Sequence, residues 1–357
     1  MRILQIGSDR SKRGILYIGT RASARQRAYG EVFGHFDIIG FSLQRDGATQ
    51  YSMEPDTHVY PTNSLSRIFY GLDTIRIAYR LLRPEVISTQ DPFEVGLLGV
   101  LLAWMFHVPL HVQVHTDFVT SAYAEHSTLN RLRLWCAGFV LSRASRIRVV
   151  SARIKKAIEM KYNVHAPISV LPIYVDIEGY SVARVALAME ERFGGFKTRV
   201  LVVSRLESEK NVALAIRSFA KAPVDACLII VGEGSEHPHL ENLARSLDIS
   251  SRVFFEGEKS AIEYYPLADL VLVTSHYEGY GLVIVEALAS CKPVIATDVG
   301  IAREMGAIIA DEQGFPRALR EWFKNGPRVM QLKDYPYKNF DAYVTAYCDD
   351  ICACKSA

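Results

Sequence analysis

The residues of this chain best suited to chemistry fall in one stretch, His276-Tyr277-Glu278-Gly279-Tyr280-Gly281-Leu282-Val283-Ile284-Val285-Glu286-Ala287-Leu288. Just before it, residues 270–275 (Leu-Val-Leu-Val-Thr-Ser) form a short β-branched run that reads as a buried strand. The chain then turns through Gly279 and Gly281, and the apolar run from Leu282 reads as a helix start. Such a start offers unpaired backbone N–H groups to an anion, here those near Gly281 and Leu282. Glu278 lies in the loop and Glu286 lies about one to two turns into the helix. Carboxylates accept paired hydrogen bonds, so two of them flanking an anion site suit the vicinal hydroxyls of a sugar joined to a phosphate.

A second block supplies cations. Residues 199–206 (Arg-Val-Leu-Val-Val-Ser-Arg-Leu) read as a strand, 207–210 as a loop, and Asn211 as the N-cap of a helix. That helix buries Val212, Ala215, Ile216 and Phe219 at i, i+3, i+4, i+7 spacing. Arg205 and Lys210 therefore fall at the carboxyl end of a strand and just before a helix, the edge where open α/β sheets bind ligands. An arginine fork and a lysine point charge together suit a diphosphate.

The ordered set Ser204-Arg205-Leu206, Glu209-Lys210-Asn211, and Glu278 and Glu286 with seven residues between them resembles glycosyltransferase family 4 of the GT-B fold. Residues 228–234 (Leu-Ile-Ile-Val-Gly-Glu-Gly) and 294–298 (Val-Ile-Ala-Thr-Asp, after Lys292-Pro293) fit the same pattern. The resemblance is sharp over 199–304 and diffuse over the N-terminal half. It implies an α/β chain of two doubly wound, Rossmann-like domains facing a substrate cleft. It implies retaining transfer from a nucleotide-diphosphate sugar to a glycan or lipid-linked acceptor, by front-face attack in which the leaving phosphate oxygen takes the acceptor's proton. In that scheme Arg205, Lys210 and the N–H groups at Gly281 and Leu282 stabilise the diphosphate, with no metal and no other cofactor. The chain carries no Asp-x-Asp metal signature, in keeping with that. Glu278 would hold the donor sugar, Glu286 the nucleotide ribose, and His115 would position or polarise the sugar near the reacting centre. The rival classes are a sugar-nucleotide epimerase of similar shape and a non-catalytic sugar-nucleotide-binding scaffold.

The whole chain sets wider bounds. Its 357 residues suggest two domains, and 49% apolar with 22% charged content is that of an ordinary globular protein. The net charge of +2 is uneven: residues 1–180 carry 21 basic and 15 acidic side chains, residues 181–357 carry 20 and 24. The N-terminal half thus leans towards anionic partners. Residues 2–7 read as a first strand followed by a charged loop, not as a signal peptide. The longest apolar stretch, 96–106, is too short to span a bilayer. Six scattered cysteines suggest a reduced, cytoplasmic setting. Cys348, Cys352 and Cys354 read as incidental thiols on a helix face, and the terminal Cys354-Lys355-Ser356-Ala357 matches a prenylation signal only nominally.

Strands are expected at 3–7, 37–43, 86–89, 110–115, 147–151 and 168–173, then at 200–206, 227–232, 253–257, 270–275, 294–297 and 307–310. Helical stretches between them argue for parallel sheets covered on both faces. The crossing between domains is placed near 172–178, so the domains are drawn as 1–178, 179–336, and a helix at 337–357 that, from the resemblance, packs back on the first domain.

In the N-terminal half, residues 110–115 alternate: Val112 and Val114 face one way, and His111, Gln113 and His115 the other. His111 reads as a structural histidine, while the resemblance favours a functional role for His115. The first loop (Ser8-Asp9-Arg10-Ser11-Lys12-Arg13-Gly14) lacks the family's glycine pair. Gly19 then becomes the candidate for close approach to the donor phosphates, with a helix starting near 22–25 and Arg10, Arg25 and Arg27 as alternatives. A glycine doublet is also missing at Gly300-Ile301.

Between Arg131 and Lys161 stand nine basic residues and one acid, Glu159. This is either the solvated face of two helices or a patch that rests on anionic lipid at the inner face of the membrane, each basic residue worth about 1 kcal/mol there. No nucleic-acid module is recognisable. Gly232-Glu233-Gly234-Ser235 lacks the third glycine of a dinucleotide fingerprint, and His237 and His239 read as a surface loop, not a metal site.

Overall fold

The computed structural model describes residues 1–8 and 14–355, which form two compact units: Met1–Pro172 with Tyr337–Ala357, and Ile173–Pro336. The first unit is built on eight strands: β1 (Arg2–Gly7), β2 (His35–Gly40), β3 (Tyr51–Met53), β4 (Thr57–Pro61), β5 (Val86–Thr89), β6 (Leu110–Val114), β7 (Arg146–Val149) and β8 (Ile168–Val170). They lie in the order β3-β4-β2-β1-β5-β6-β7-β8, parallel throughout except for the β3–β4 hairpin. The second unit has six: β9 (Thr198–Val203), β10 (Ala226–Val231), β11 (Val253–Gly257), β12 (Leu270–Val273), β13 (Val294–Ala296) and β14 (Ile308–Ile309), in the order β11-β10-β9-β12-β13-β14. All its described strand ladders are parallel, with one isolated antiparallel bridge between Gly232 and Gly257.

These strands form where they do because both faces are covered. β10 (Ala-Cys-Leu-Ile-Ile-Val) and β12 (Leu-Val-Leu-Val) are buried at every position, the pattern of a parallel strand with helices on either side. The amphipathic helix Val212–Phe219 lays Ala215, Ile216 and Phe219 into that core beside Val200, Leu228 and Trp322. In each sheet the strand order reverses once: between β1 and β5 in the first unit, and between β9 and β12 in the second. A reversal opens a crevice at the carboxyl ends of the two strands, the place for a ligand in this architecture.

Several expectations are corrected. The β3–β4 hairpin was not anticipated. The crossing falls at Pro172–Ile173, the start of the expected stretch 172–178, and the segment after it bonds within the second unit. There Tyr335 Oη donates to the Ile173 carbonyl at 3.2 Å and accepts from Val175 N. Asn211 stands at the N-cap position but does not cap. Its N–H closes the turn Ser208–Lys210 onto the Ser208 carbonyl with a left-handed backbone (φ +47°), and its side chain makes no bond to the helix N–H groups. His237 opens a helix, His237–Ser246, where a loop was expected, and its ring sits between Glu233 and Glu241.

The last helix, Phe340–Cys352, is capped by Asn339 and packs on the helix Arg21–Phe33: Tyr347 stacks on Tyr29 with ring centroids 4.0 Å apart. Cys348 and Cys354 are buried within the first unit, and burial raises both thiols above their usual range. Among the described residues, no helix is long and apolar enough to cross a membrane.

Candidate functional site

In the second unit the reversal between β9 and β12 brings the two predicted loops together. Lys210 Nζ donates to Glu278 Oε1 at 2.5 Å, and Ser275 Oγ donates to the same oxygen at 2.8 Å. Both partners of the ion pair are largely enclosed, with 15% and 19% of their side-chain surface exposed. Backbone stitches fix the register: His276 N donates to the Glu209 carbonyl at 2.9 Å, and Thr274 Oγ1 to the Lys210 carbonyl at 3.1 Å. A lysine has three donors, so Lys210 keeps capacity for an anion while holding Glu278.

The helix Leu282–Ala289 begins directly beyond. Its N-cap is Gly281, at φ +91°, with no side-chain cap. Ile284 N turns back to the Gly281 carbonyl at 2.9 Å, which leaves the N–H groups of Leu282 and Val283 as the ones a helix start offers to an outside acceptor. Gly300 supports this loop. Its left-handed backbone (φ +50°) lets it lie against the Tyr280 carbonyl, where an added Cβ would stand at 2.3 Å. Ile301 N bonds that same carbonyl at 3.0 Å. Glu286 projects from the second turn and accepts from Tyr265 Oη at 2.7 Å. Arg205 is mostly exposed and pairs with Glu209 at 2.8 Å.

The glycines after β10 have a packing role that their motif alone did not disclose. A Cβ at Gly232 would come within 1.8 Å of the Ser204 carbonyl oxygen, and one at Gly234 within 2.2 Å of the Leu206 carbonyl oxygen. The β10 loop therefore lies directly against the β9 loop that carries Arg205 and Lys210. Gly232→Ala combines this overlap with a φ of +139° and is expected to destabilise the second unit by about 3 kcal/mol or more. Urea denaturation checks this; an unchanged midpoint would show that the two loops can part without cost.

In the first unit, β6 carries a row of polar side chains towards the last helix. His111 is fully buried, with Nδ1 on Ser88 Oγ at 2.9 Å and Nε2 on Asp350 Oδ2 at 3.1 Å, as a structural histidine should be. Gln113 uses its amide nitrogen on Ser88 Oγ and Tyr347 Oη. Its Oε1 accepts from Arg148 Nη1 at 2.9 Å and faces His115 Nε2 at 3.2 Å. With that oxygen as acceptor, His115 carries its proton on Nε2 and presents Nδ1 as an acceptor. His115 keeps some accessible surface, yet protein crowds the ring. That desolvation, with the charges of Arg148 and Arg25 and the neighbouring His111, pushes its pKa down to about 3.

The sign of the resulting pH effect follows. Above the usual value of 6.5, His115 is neutral in folded and unfolded chains alike. Below it the unfolded chain takes a proton that the folded chain refuses, so stability falls as pH drops from 6.5 towards 3. His111 is lowered by burial and acts in the same direction. His115→Asn is expected to flatten the loss by up to about 1.4 kcal/mol per pH unit. Parallel stability curves for variant and wild type in urea titrations would contradict the neutral assignment.

The structure thus joins Lys210, Glu278, Gly281 and Leu282, with Glu286 a turn further on, and it places Arg25 near His115. Gly19 (φ +80°) immediately precedes Thr20, which caps the helix Arg21–Phe33, and among the described residues no atom crowds its Cβ position. Arg27 pairs with Glu31, and Arg10 lies outside the described residues. Sequence reasoning passed over Asp91, at the end of β5 beside the first reversal point. Burial pushes its carboxyl up to about 6, and Ser8 Oγ and Phe93 N bond it. An Asp-Pro one residue beyond a short buried strand was the signal. The segment between Arg131 and Lys161 is not one uniform face. Arg148 is buried, Arg146 pairs with Asp350, Arg153 with Asp117 and Arg133 with Glu94.

Two sheets, parallel but for the β3–β4 hairpin and each with one reversal at its centre, are the architecture of the GT-B glycosyltransferases. Residues 20–173 match the family described as glycosyl transferase 4-like domain, and residues 190–335 match glycosyl transferases group 1. The chain belongs to the family 4-like glycosyltransferases. It is 38% identical over 101 residues to N-acetyl-alpha-D-glucosaminyl L-malate synthase of Bacillus anthracis, covering 28% of this chain and 26% of that one. It is 28% identical over 232 residues to alpha-monoglucosyldiacylglycerol synthase of Streptococcus pneumoniae, covering 59% and 51%. These matches span about a quarter and about half of those relatives' lengths. Its fold matches that of HepE of Anabaena, solved with UDP and glucose, with a TM-score of 0.70 at 18% identity over 98% of this chain and 95% of the other.

Proposed function

We propose that the chain moves a sugar from a nucleotide-diphosphate sugar to a glycan or lipid-linked acceptor, with retention at the anomeric carbon and without a metal ion. One observation carries this above the others: the Lys210–Glu278 pair stands at the β9–β12 reversal beside an uncapped helix start. The bond from the anomeric carbon to the phosphate oxygen breaks as the acceptor oxygen bonds on the same face. The acceptor's proton passes to the departing phosphate oxygen. Lys210 and the N–H groups at Gly281 and Leu282 meet the charge that builds on the diphosphate, and Arg205 adds a second cation from the rim. Glu278, its Oε1 already fixed by Lys210 and Ser275, holds donor-sugar hydroxyls. Glu286, steadied by Tyr265, holds the ribose. His115 accepts a sugar hydroxyl at Nδ1; a histidine kept neutral orients without donating a proton. Gly19 is the first unit's candidate for phosphate contact, with Arg25 the alternative.

HepE, of like fold, was solved with UDP and glucose, which favours a nucleotide-sugar donor. The name of the pneumococcal relative favours a lipid acceptor. A cytoplasmic enzyme resting on the inner leaflet would use the basic residues of the segment that remain exposed, Arg131, Arg143, Lys156 and Lys161, near the exposed Leu132 and Trp135.

The test is thermal stabilisation by UDP, GDP, ADP and their sugars in a chelator, followed by release of nucleoside diphosphate in the presence of acceptors. Binding to the folded state raises the melting temperature by mass action. A shift with one nucleotide family, and acceptor-dependent diphosphate release, is the expected result. Sugar interconversion without release would favour an epimerase, and binding without turnover a scaffold.

A further inference from the structure

We propose that His35, Asp56 and His58 form a site for one transition-metal dication of the Zn2+ class on the outer strands of the first unit's sheet. β2 and β4 run parallel, with Phe36 beside Thr57 and Asp37 beside His58. The Phe36 N–H to Asp56 carbonyl bond, 2.9 Å, extends this ladder by one residue. Alternation along each strand then sets His35 and Asp37 on one face of β2, with Asp56 and His58 on the same face of the sheet. Ser52 of β3 stands directly opposite His58.

Within this array the two imidazoles converge on one carboxylate. His35 Nδ1 lies 2.5 Å from Asp56 Oδ2, and His58 Nε2 lies 2.7 Å from Asp56 Oδ1. Ligand atoms of all three residues fall within 4.8 Å of one another. The ring nitrogens on the far sides are held as well: His35 Nε2 by Asp37 Oδ2 at 3.0 Å, and His58 Nδ1 by Ser52 Oγ at 2.7 Å. Partners of this kind fix the tautomer and orientation of metal-ligating histidines. Each imidazole thus has one nitrogen committed to an outer partner and one aimed at a shared centre.

Two imidazoles and a carboxylate, with water as fourth ligand, are a set that suits zinc at about 2.0–2.1 Å per ligand. Calcium and magnesium prefer all-oxygen sets, so the donors argue against them. Exposure fits entry from solvent: the Asp56 side chain is 39% exposed and His58 27%, while Asp37, behind His35, is 5% exposed. Protons now bridge the rings to Asp56, and the metal takes their place, so binding is favoured where the histidines are neutral. Such an ion would clip the β3–β4 hairpin to β2. It has no part in the glycosyl transfer proposed above, and the failure of either proposal leaves the other untouched.

The full chain, stripped with chelator and desalted, is loaded with Zn2+ or Co2+ and passed through gel filtration. About one Zn2+ per chain is expected to be retained, with a rise in melting temperature that Mg2+ does not give. The Co2+ form should show ligand-field absorption of a nitrogen- and oxygen-ligated ion without thiolate charge transfer. His58→Gln and the double variant His35→Gln/His58→Gln should lose retention. Ser52→Ala, which leaves all three ligands in place, should weaken affinity by about ten-fold or more. Wild type that retains no more zinc than the double variant, or thiolate bands pointing to Cys348, Cys352 or Cys354, would overturn the assignment. Unchanged affinity in Ser52→Ala would overturn the role given to the outer partners.

Discussion

Lys210→Ala is expected to lower kcat by about two to three orders of magnitude, the usual cost of removing one group that meets developing charge in a water-poor site. Lys210 is the enclosed cation of the β9 loop, whereas the guanidinium of Arg205 is mostly exposed and already paired with Glu209. A merely structural role would give a different pattern. If Lys210 served only to neutralise Glu278, then Glu278→Gln would remove the need for it, and Lys210→Ala/Glu278→Gln would turn over no worse than Glu278→Gln alone. The transfer scheme predicts instead that the double variant falls further, with the loss in kcat and a smaller change in KM for the donor. Single-turnover kinetics and donor binding by calorimetry separate the two. Near-normal kcat in Lys210→Ala would remove it from the catalytic set.

What could be read in the sequence was what single strands and their ends encode. β10 and β12 were legible because parallel strands buried on both faces are written as unbroken apolar runs. The β3–β4 hairpin was not, because Thr57-His58-Val59-Tyr60-Pro61 offers no apolar run or clean alternation and ends in a proline, although its burial alternates in the sheet. Lys210 and Glu278 could each be placed at a strand end, but their meeting depends on β9 lying beside β12, and sequence does not order strands. Arg148 shows the limit of charge counting. It entered as one of nine basic residues in a surface segment, yet it is fully buried, bonding Gln113 and the Leu171 carbonyl with its guanidinium over Tyr347. Nothing local marks it out, because its partners lie 23 residues or more away in sequence. The zinc-class cluster was hidden for the same reason: His35 and His58 become neighbours only through the β2–β4 register.

Asp350→Ala is expected to cost the first unit about 3–5 kcal/mol, the range for breaking a buried ion pair by deleting one partner. Asp350 sits on the last helix with 3% of its side chain exposed, and accepts from His111 Nε2 at 3.1 Å and Arg146 Nε at 2.5 Å. Burial alone would raise its carboxyl, but these partners outweigh burial and hold it at about 2. Their favourable contribution is therefore present above the ordinary value of 3.8 and is lost as pH falls through about 2. Alanine leaves Arg146 and the buried His111 without that acceptor and loosens the grip of the last helix on β6 and β7. Asp350→Asn keeps an acceptor but loses the charge, so its cost should lie between wild type and alanine. Because every partner of Asp350 lies in the first unit, the variant should still show nucleotide-dependent stabilisation through the Lys210–Glu278 site. Hydrogen exchange should report faster opening across 340–352. Full protection of that helix in Asp350→Ala would mean that Tyr29, Tyr343 and Tyr347 alone hold it in place, and that the buried charges on β6 and β7 contribute little to its docking.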